Sequence, residues 1–253
     1  MVNSAMKSYH GILRQTSFSK ADIVRLLQPA DKHEREALFS RAESVTRAFF
    51  GDGIYLRGII EFSNYCRRNC AYCGIRAGNP AITRYRMSFD EILETAKTIK
   101  KAGIGTVVLQ SGEDPENTRE YIGSLHARHP GRTHIAVTLS LGEYRYDYRQ
   151  WRRAGADRYL LKFESSNREL YRRLHPDCDF EERWRCLRDI RSSGYQLGSG
   201  FMVGLPGQTV SALADDLLSL AALEPDMAGI GPFIFTSAHP DERCGERQCG
   251  DGP

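Results

Sequence analysis

Three thiols fall within eight residues, Cys66, Cys70 and Cys73, in the spacing Cx3Cx2C. They follow residues 54–62, an apolar stretch that reads as a buried strand. Thiolates are the natural ligands of iron–sulfur clusters and of zinc. A compact loop carrying three of them can hold three corners of a cubane cluster and leave the fourth iron free. An open metal position is where chemistry happens. The alternative is a structural zinc site, which needs four closed ligands. Its fourth thiol would come from Cys178, Cys186, Cys244 or Cys249.

The elements that must position such a loop follow from the pattern downstream. Residues 1–16 carry no clear pattern, and Ser19 reads as the cap of a short helix with Ile23, Leu26 and Leu27 on its apolar side. A second helix is predicted over 31–50, with Ala37, Leu38, Ala42, Val45 and Phe49 at helical spacing. From residue 54 onward strand and helix alternate. Strands are predicted at 54–62, 106–110, 134–141, 158–164, 196–203 and 227–234. Between them lie helices at 88–102, around 118–129, through Trp151, from Asp179, and after Thr209. Ser88 and Glu91 form a capping box, and Asp179 with Glu182 three residues on marks another helix start. Phe89, Ile92, Leu93, Ala96 and Ile99 make one apolar stripe; Phe180, Trp184, Leu187 and Ile190 make another.

Six β-α repeats with short loops argue for parallel strands joined by right-handed crossovers, an α/β class. The glycine fingerprint of a dinucleotide fold is absent after the first strand, so a curled, TIM-type (β/α) barrel is favoured over a flat doubly wound sheet. A complete eight-fold barrel typically needs about 250 residues, and only about 180 lie between Ile54 and Phe235. The barrel is therefore expected to be incomplete, with about six units. The organisation expected is an N-terminal helical segment over 1–52, the partial barrel over 53–235 and a disordered polar tail over 236–253.

Composition narrows the function classes. The 253 residues contain 41% hydrophobic residues, enough for a sizeable core, and the net charge of +3 is too small to argue for nucleic acid. Arginine-rich stretches at 145–153 and 183–191 carry no nucleic-acid-binding motif and read as solvated helix faces. No apolar run reaches the length of a membrane span, and the N-terminus lacks a secretion signal. Seven cysteines, three of them clustered, suit a reducing, cytoplasmic setting with metal-binding thiols. Cys178 and Cys186 read as inert packing thiols.

In parallel barrels function gathers at the C-terminal ends of the strands, and these ends are polar here. The second ends Gln110-Ser111-Gly112-Glu113-Asp114, the third Thr138-Leu139-Ser140-Leu141-Gly142-Glu143, the fourth Lys162-Phe163-Glu164. Residues two apart share a face, so Thr138 lines up with Ser140 and Lys162 with Glu164 on the barrel interior. One such pair would be an ordinary satisfied core feature. Three successive strands point to a ligand cavity.

Cx3Cx2C with Tyr72 before the last cysteine resembles the signature of the radical AdoMet enzymes. The run from Glu61 to Arg76 is similar, more narrowly, to the HydE-type maturases of FeFe-hydrogenase, and the likeness extends over nearly all of residues 20–234. It implies a radical AdoMet barrel and a 4Fe-4S cluster on Cys66, Cys70 and Cys73, whose open iron chelates S-adenosyl-L-methionine. Reductive cleavage would yield a 5′-deoxyadenosyl radical. The resemblance further implies that Gln110, Ser111, Gly112 and Glu113 hold the methionine amino group, and that Thr138 and Ser140 line the cavity. By the same likeness Glu164 is a ligand of AdoMet, Arg183 reaches its carboxylate and Tyr72 backs the adenine. Residues 202–209 and 229–234 are also HydE-like. The implied role is assembly of the hydrogenase di-iron site from an iron–cysteine or other small-molecule substrate. A ferredoxin- or flavodoxin-like reductant and other hydrogenase maturases would be its partners. Related activities, a methylornithine synthase or biotin synthase type, remain alternatives.

Beyond Ile234 the chain departs from that pattern. The family continues Pro-His-Pro-Asp, whereas this chain reads Phe235-Thr236-Ser237-Ala238-His239-Pro240-Asp241 and ends in Gly-rich polar residues. The expectation is a truncated copy, and a non-catalytic cluster-binding remnant is a third reading.

Overall fold

Six parallel strands lie in sequence order, β1 to β6, in one sheet. The computed structural model describes residues 8–117, 122, 135–144 and 147–234. The strands are β1 (Gly58–Ser63), β2 (Thr106–Ser111), β3 (Ala136–Ser140), β4 (Arg158–Leu160), β5 (Gln196–Val203) and β6 (Met227–Pro232). The helices are α1 (Tyr9–Leu13), α2 (Lys20–Leu26), α3 (Lys32–Phe50), α4 (Phe89–Lys101), α5 (Tyr148–Arg153), α6 (Arg168–Leu174), α7 (Phe180–Ser192) and α8 (Val210–Leu223). This is the parallel α/β order expected of a partial (β/α) barrel. The 118–129 helix lies outside the described residues, apart from Ile122, which is helical and fully buried. The 236–253 tail also lies outside them.

Local signals place most helix starts. Ser88 and Glu91 form the reciprocal capping box of α4, and Asp179 and Thr209 cap α7 and α8 through the backbone N–H groups of Glu182 and Ala212. Side-chain alternation then gives the sheet two faces. Ile60, Phe62, Val107, Leu109, Leu139, Leu141, Tyr159, Leu161, Phe163, Leu197 and Phe201 join one core cluster under the helices. Phe163 stacks on Trp184 of α7, and Tyr159 packs edge-on against Tyr148 of α5. The residues between them, including Gln110, Thr138, Ser140, Lys162 and Glu164, belong to the opposite, concave face.

Three expectations change. The first strand begins at Gly58, not Ile54, and Ile54, Tyr55 and Leu56 are exposed. Its neighbour β2 starts at Thr106 and pairs from Val107 with Gly58, so residues before 57 have no backbone to bond. Helix α3 forms where predicted, with Asp31 as cap, yet none of its residues is buried. Its main neighbour is the short α1, and Phe39 and Phe49 stay exposed. Periodicity marks an apolar stripe; it does not supply a partner for it. Lastly, residues 9–13 and 168–174 are helical although no pattern singled them out, and the fourth strand is continuous only over Arg158–Leu160, with a separate bridge from Glu164 to Phe201.

The α6 helix matters because it fixes the chain after Glu164. The buried Asp216 carboxylate of α8 accepts from Ser166 N at 2.5 Å, Ser166 Oγ at 2.7 Å and Ser165 Oγ at 3.3 Å. Burial pushes this carboxyl upward, and those donors pull it back down. Asn167 then caps α6 through Leu170 N.

At the β5–β6 seam, a Cβ on Gly200 would come within 1.9 Å of the Gly229 carbonyl oxygen. Backbone cannot yield there as a flexible side chain could. Gly200→Ala is expected to lower the melting temperature far more than Ser88→Ala, which removes one cap and costs about 1 kcal/mol. Equal shifts in thermal melts of the two variants would contradict this packing.

Candidate metal centre and ligand cavity

The cysteine loop lies directly on the end of β2. A Cβ at Gly112 would stand 2.3 Å from the Tyr65 carbonyl oxygen and 2.6 Å from Cys66 Cβ, so only glycine permits the approach. Arg67 N donates to the Glu113 carbonyl at 3.1 Å. Arg84 ties the loop shut by donating to the carbonyls of Asn64, Ile75 and Arg76. On its far side Ala71 N donates to Leu174 O at 2.8 Å and Asn69 N to Asp177 Oδ2 at 3.0 Å. The loop is thus held between β2 and the segment that follows α6.

Cys66, Cys70 and Cys73 are free and half-buried. Burial pushes the Cys66 and Cys73 thiols up, and Cys73 also feels Cys66. The Cys70 thiol is raised first by a hydrogen bond with the Cys178 thiol, then by burial, with Cys73 adding to the effect. The three sulfurs therefore sense one another in a site that disfavours bare thiolates, a cost that bound metal charge offsets. Among the described residues no three His, Cys, Asp or Glu side chains converge on a single-ion site. A closed zinc tetrahedron is not formed by them. Three thiols on one loop are a donor set that would suit a cluster with one iron left open.

A buried chain of charge runs behind the loop. Arg68 Nε donates to Glu113 Oε2 at 2.7 Å, and Arg68 Nη2 donates to Glu143 Oε2 at 3.1 Å. Arg183 Nε donates to Glu143 Oε1 at 2.6 Å and its Nη1 to the Lys162 carbonyl at 2.5 Å. Arg67 adds a 3.1 Å bond to Glu113 Oε2, and Glu143 N donates to Glu113 Oε1 at 2.9 Å. Gly142, at φ +95°, leaves room for the Glu113 side chain. Three guanidiniums thus face two carboxylates, leaving one positive charge over. Arg183 is buried, not an exposed helix cation.

On the concave face two buried atoms have no partner, Thr138 Oγ1 and Glu164 Oε2. Glu164 also holds φ at +64°, a left-handed conformation that costs a non-glycine residue about 1 kcal/mol or more. Burial pushes its carboxyl up, while Lys162 and Arg183 pull it down. Such orphaned atoms suit a ligand bearing amino or hydroxyl donors. Nearby, Tyr72 OH meets His175 Nε2 at 3.1 Å, and His175 Nδ1 lies 3.0 Å from the Tyr171 carbonyl. The carbonyl only accepts, so Nδ1 carries the proton and Tyr72 donates to Nε2. The imidazole stacks on Tyr171 at 4.0 Å, and burial drops its pKa to about 3, so it is neutral.

Ser140 and Gln110 sit half-buried, opposite each other in the β2–β3 register. Ser111 Oγ accepts from Asn117 Nδ2 at 2.7 Å. The Glu113 carboxylate faces its two arginines. Sequence reasoning missed Arg68, Glu143 and His175 as parts of the site; each is recognisable only through partners distant along the chain. Cys178 is half-buried beside the loop, and Cys186 is a buried packing thiol.

A model of the radical SAM superfamily matches residues 60–220. The [FeFe] hydrogenase maturase subunit HydE of Thermotoga maritima is 45% identical over 240 residues, covering 94% of this chain and 68% of its own. The 3-methylornithine synthase of Methanosarcina acetivorans is 29% identical over 235 residues, covering 92% of this chain and 67% of its own. The chain thus spans about two thirds of the length of these relatives. The crystal structure of methylornithine synthase (PylB) is similar in fold, with a TM-score of 0.84 at 28% identity over 92% of this chain and 69% of that one.

Two stability predictions come from the geometry. Glu143→Ala leaves Arg183 buried without its carboxylate and is expected to cost about 3–5 kcal/mol in urea unfolding; a loss below about 1 kcal/mol would contradict a buried pair. A folded His175 pKa near 3 against 6.5 unfolded means the unfolded chain alone takes up a proton as pH falls between those values. Stability is therefore lost on acidification from 6.5 toward 3. His175→Asn is expected to flatten that branch of the melting profile, and an unchanged acid slope would count against the neutral ring.

Proposed function

Because this chain belongs to the radical SAM superfamily, we propose that it is a HydE-type enzyme that cleaves S-adenosyl-L-methionine reductively during assembly of the FeFe-hydrogenase active-site cluster. The observation that carries the choice within the superfamily is the 45% identity to HydE over nearly the whole chain, against 29% to methylornithine synthase. Members of the superfamily bind a 4Fe-4S cluster and use S-adenosyl-L-methionine, and the three free thiols on a loop fastened to the sheet end fit that group. When bound, the cluster supplies the electron that breaks the C5′–S bond and yields a 5′-deoxyadenosyl radical.

The chain's own residues do the rest. Cys66, Cys70 and Cys73 hold three irons. The surplus positive charge of the Arg67–Arg68–Arg183 group meets the methionine carboxylate, with Arg183 the deepest of the three. Glu164, strained and with its Oε2 unbonded, takes a donor from the ligand, and Thr138 another; Ser140 and Gln110 line the same concave face. Gly112 and Glu113 set the loop height against the cavity, with Ser111 beside them. Tyr72, its hydroxyl bonded to His175, backs the adenine. The core under the helices keeps water from the outer face of the sheet.

The substrate is proposed to be a small molecule, such as an iron–cysteine complex. A ferredoxin- or flavodoxin-like protein delivers the electron in the cytoplasm, and other hydrogenase maturases receive the product. No helix among the described residues is long and apolar enough to cross a membrane. Residues 1–52 serve as a helical segment beside the barrel of residues 53–235. The fold likeness to methylornithine synthase keeps a second reading, 3-methylornithine formation.

Anaerobic reconstitution followed by dithionite and S-adenosyl-L-methionine is expected to yield 5′-deoxyadenosine, lost in Cys70→Ala. Added to maturation mixtures lacking HydE, the protein is expected to restore hydrogenase activity. Production of 3-methylornithine instead would select the second reading, and no 5′-deoxyadenosine at all would sink both.

A further inference from the structure

The outer side of the cysteine loop is a one-sign surface. Residues 62–89 carry Arg67, Arg68, Arg76, Arg84 and Arg86 and no aspartate or glutamate. Arg68 is taken up by Glu113 and Glu143, and Arg86 by Asp114 and Glu116. Arg84 donates to three carbonyls of the loop and Arg76 Nη1 to the Cys73 carbonyl at 3.2 Å. A carbonyl holds a guanidinium without cancelling its charge. Arg67 reaches Glu113 with half its side chain exposed.

The end of α6 lies against this loop, where Ala71 N donates to Leu174 O at 2.8 Å. That last turn presents Arg172 and Arg173, both exposed and neither paired with a carboxylate among the described residues. Arg173 lies over the 204–207 turn, where a Cβ on Gly207 would stand 2.9 Å from its Nη2. The acids on this segment are Glu169 and Asp177, and Asp177 accepts from Asn69 N. The three thiols sit just beneath the surface: exposed Arg67, Asn69 and Gly74 are chain neighbours of half-buried Cys66, Cys70 and Cys73.

We propose that this face, Arg67 of the loop with Arg172 and Arg173 of α6, is the docking surface for an acidic electron-carrier protein. Charge complementarity selects the partner, because clustered guanidiniums steer and orient a surface of carboxylates. Position selects its task, because a protein seated here is one layer of chain from the thiols. Each encounter passes one electron inward: the carrier is oxidised, and no bond is made or broken. The assignment rests on the function proposed above, which gives the electron its destination.

The test uses the full chain, reconstituted anaerobically, with an acidic flavodoxin as probe. Arg172→Glu/Arg173→Glu is expected to weaken flavodoxin binding and raise its KM by roughly tenfold, with dithionite-driven 5′-deoxyadenosine formation unchanged. Wild-type binding is expected to weaken steeply with salt, and the variant's slope to flatten. Lys100→Glu/Lys101→Glu, at the far end of α4, is expected to bind as wild type does. Unchanged binding and salt slope in the α6 variant would overturn the proposal, as would an equal loss in the α4 variant. So would single-stranded oligonucleotide held more tightly than flavodoxin by the same arginines. Failure to load a cluster would count against the proposed function, while flavodoxin binding to the cluster-free chain still decides the surface.

Discussion

A buried run of charge, Glu113 to Arg68 to Glu143 to Arg183, holds the cysteine loop to the sheet. Its members come from the loop, the ends of β2 and β3, and α7. Each carboxylate there is shared, so each arginine fixes two elements at once. Buried charges of this kind are expensive unless paired and bonded. That expense makes the geometry specific: moving the loop would strand several charges together. The close approach at Gly112 sets how near the loop can come, and the arginines set its orientation.

From that anchor the rest of the cavity follows. The loop is pressed from one side by β2 and from the other by the segment after α6, a helix whose leading residues Ser165 and Ser166 bond the buried Asp216. Between them lies the concave face, where Thr138 and Glu164 keep unsatisfied atoms and Glu164 keeps a strained backbone. Strain and missing partners reduce stability, and on this face a ligand with hydrogen-bond donors would remove the deficit. The helix-facing side of the same strands shows none of this strain; aromatic packing from Tyr159, Phe163 and Trp151 fills it.

Much of this was legible in the sequence because it is local. The Ser88–Glu91 box, the Asp179 and Thr209 caps and the bounds of β5 are written within a few neighbouring residues, and the structure has them there. The Cx3Cx2C spacing and the polar strand ends are also local. What was not legible depends on distance along the chain. Arg68 meets Glu143 across 75 residues and Arg183 meets it across 40. Nothing near His175 announces that Tyr72 will donate to it. Nothing near Asp177 announces that it will bond Arg68 and Asn69 of the cysteine loop, more than a hundred residues away. The α3 stripe is the converse case: a correct period with only the short α1 beside it and no residue buried.

The central claim is an open iron position on a three-thiol loop. EPR of the reconstituted, reduced protein, recorded with and without S-adenosyl-L-methionine, tests it most directly. An open position predicts a 4Fe-4S signal whose g-values move when S-adenosyl-L-methionine is added. A cluster signal indifferent to S-adenosyl-L-methionine, or zinc in place of iron, would contradict it.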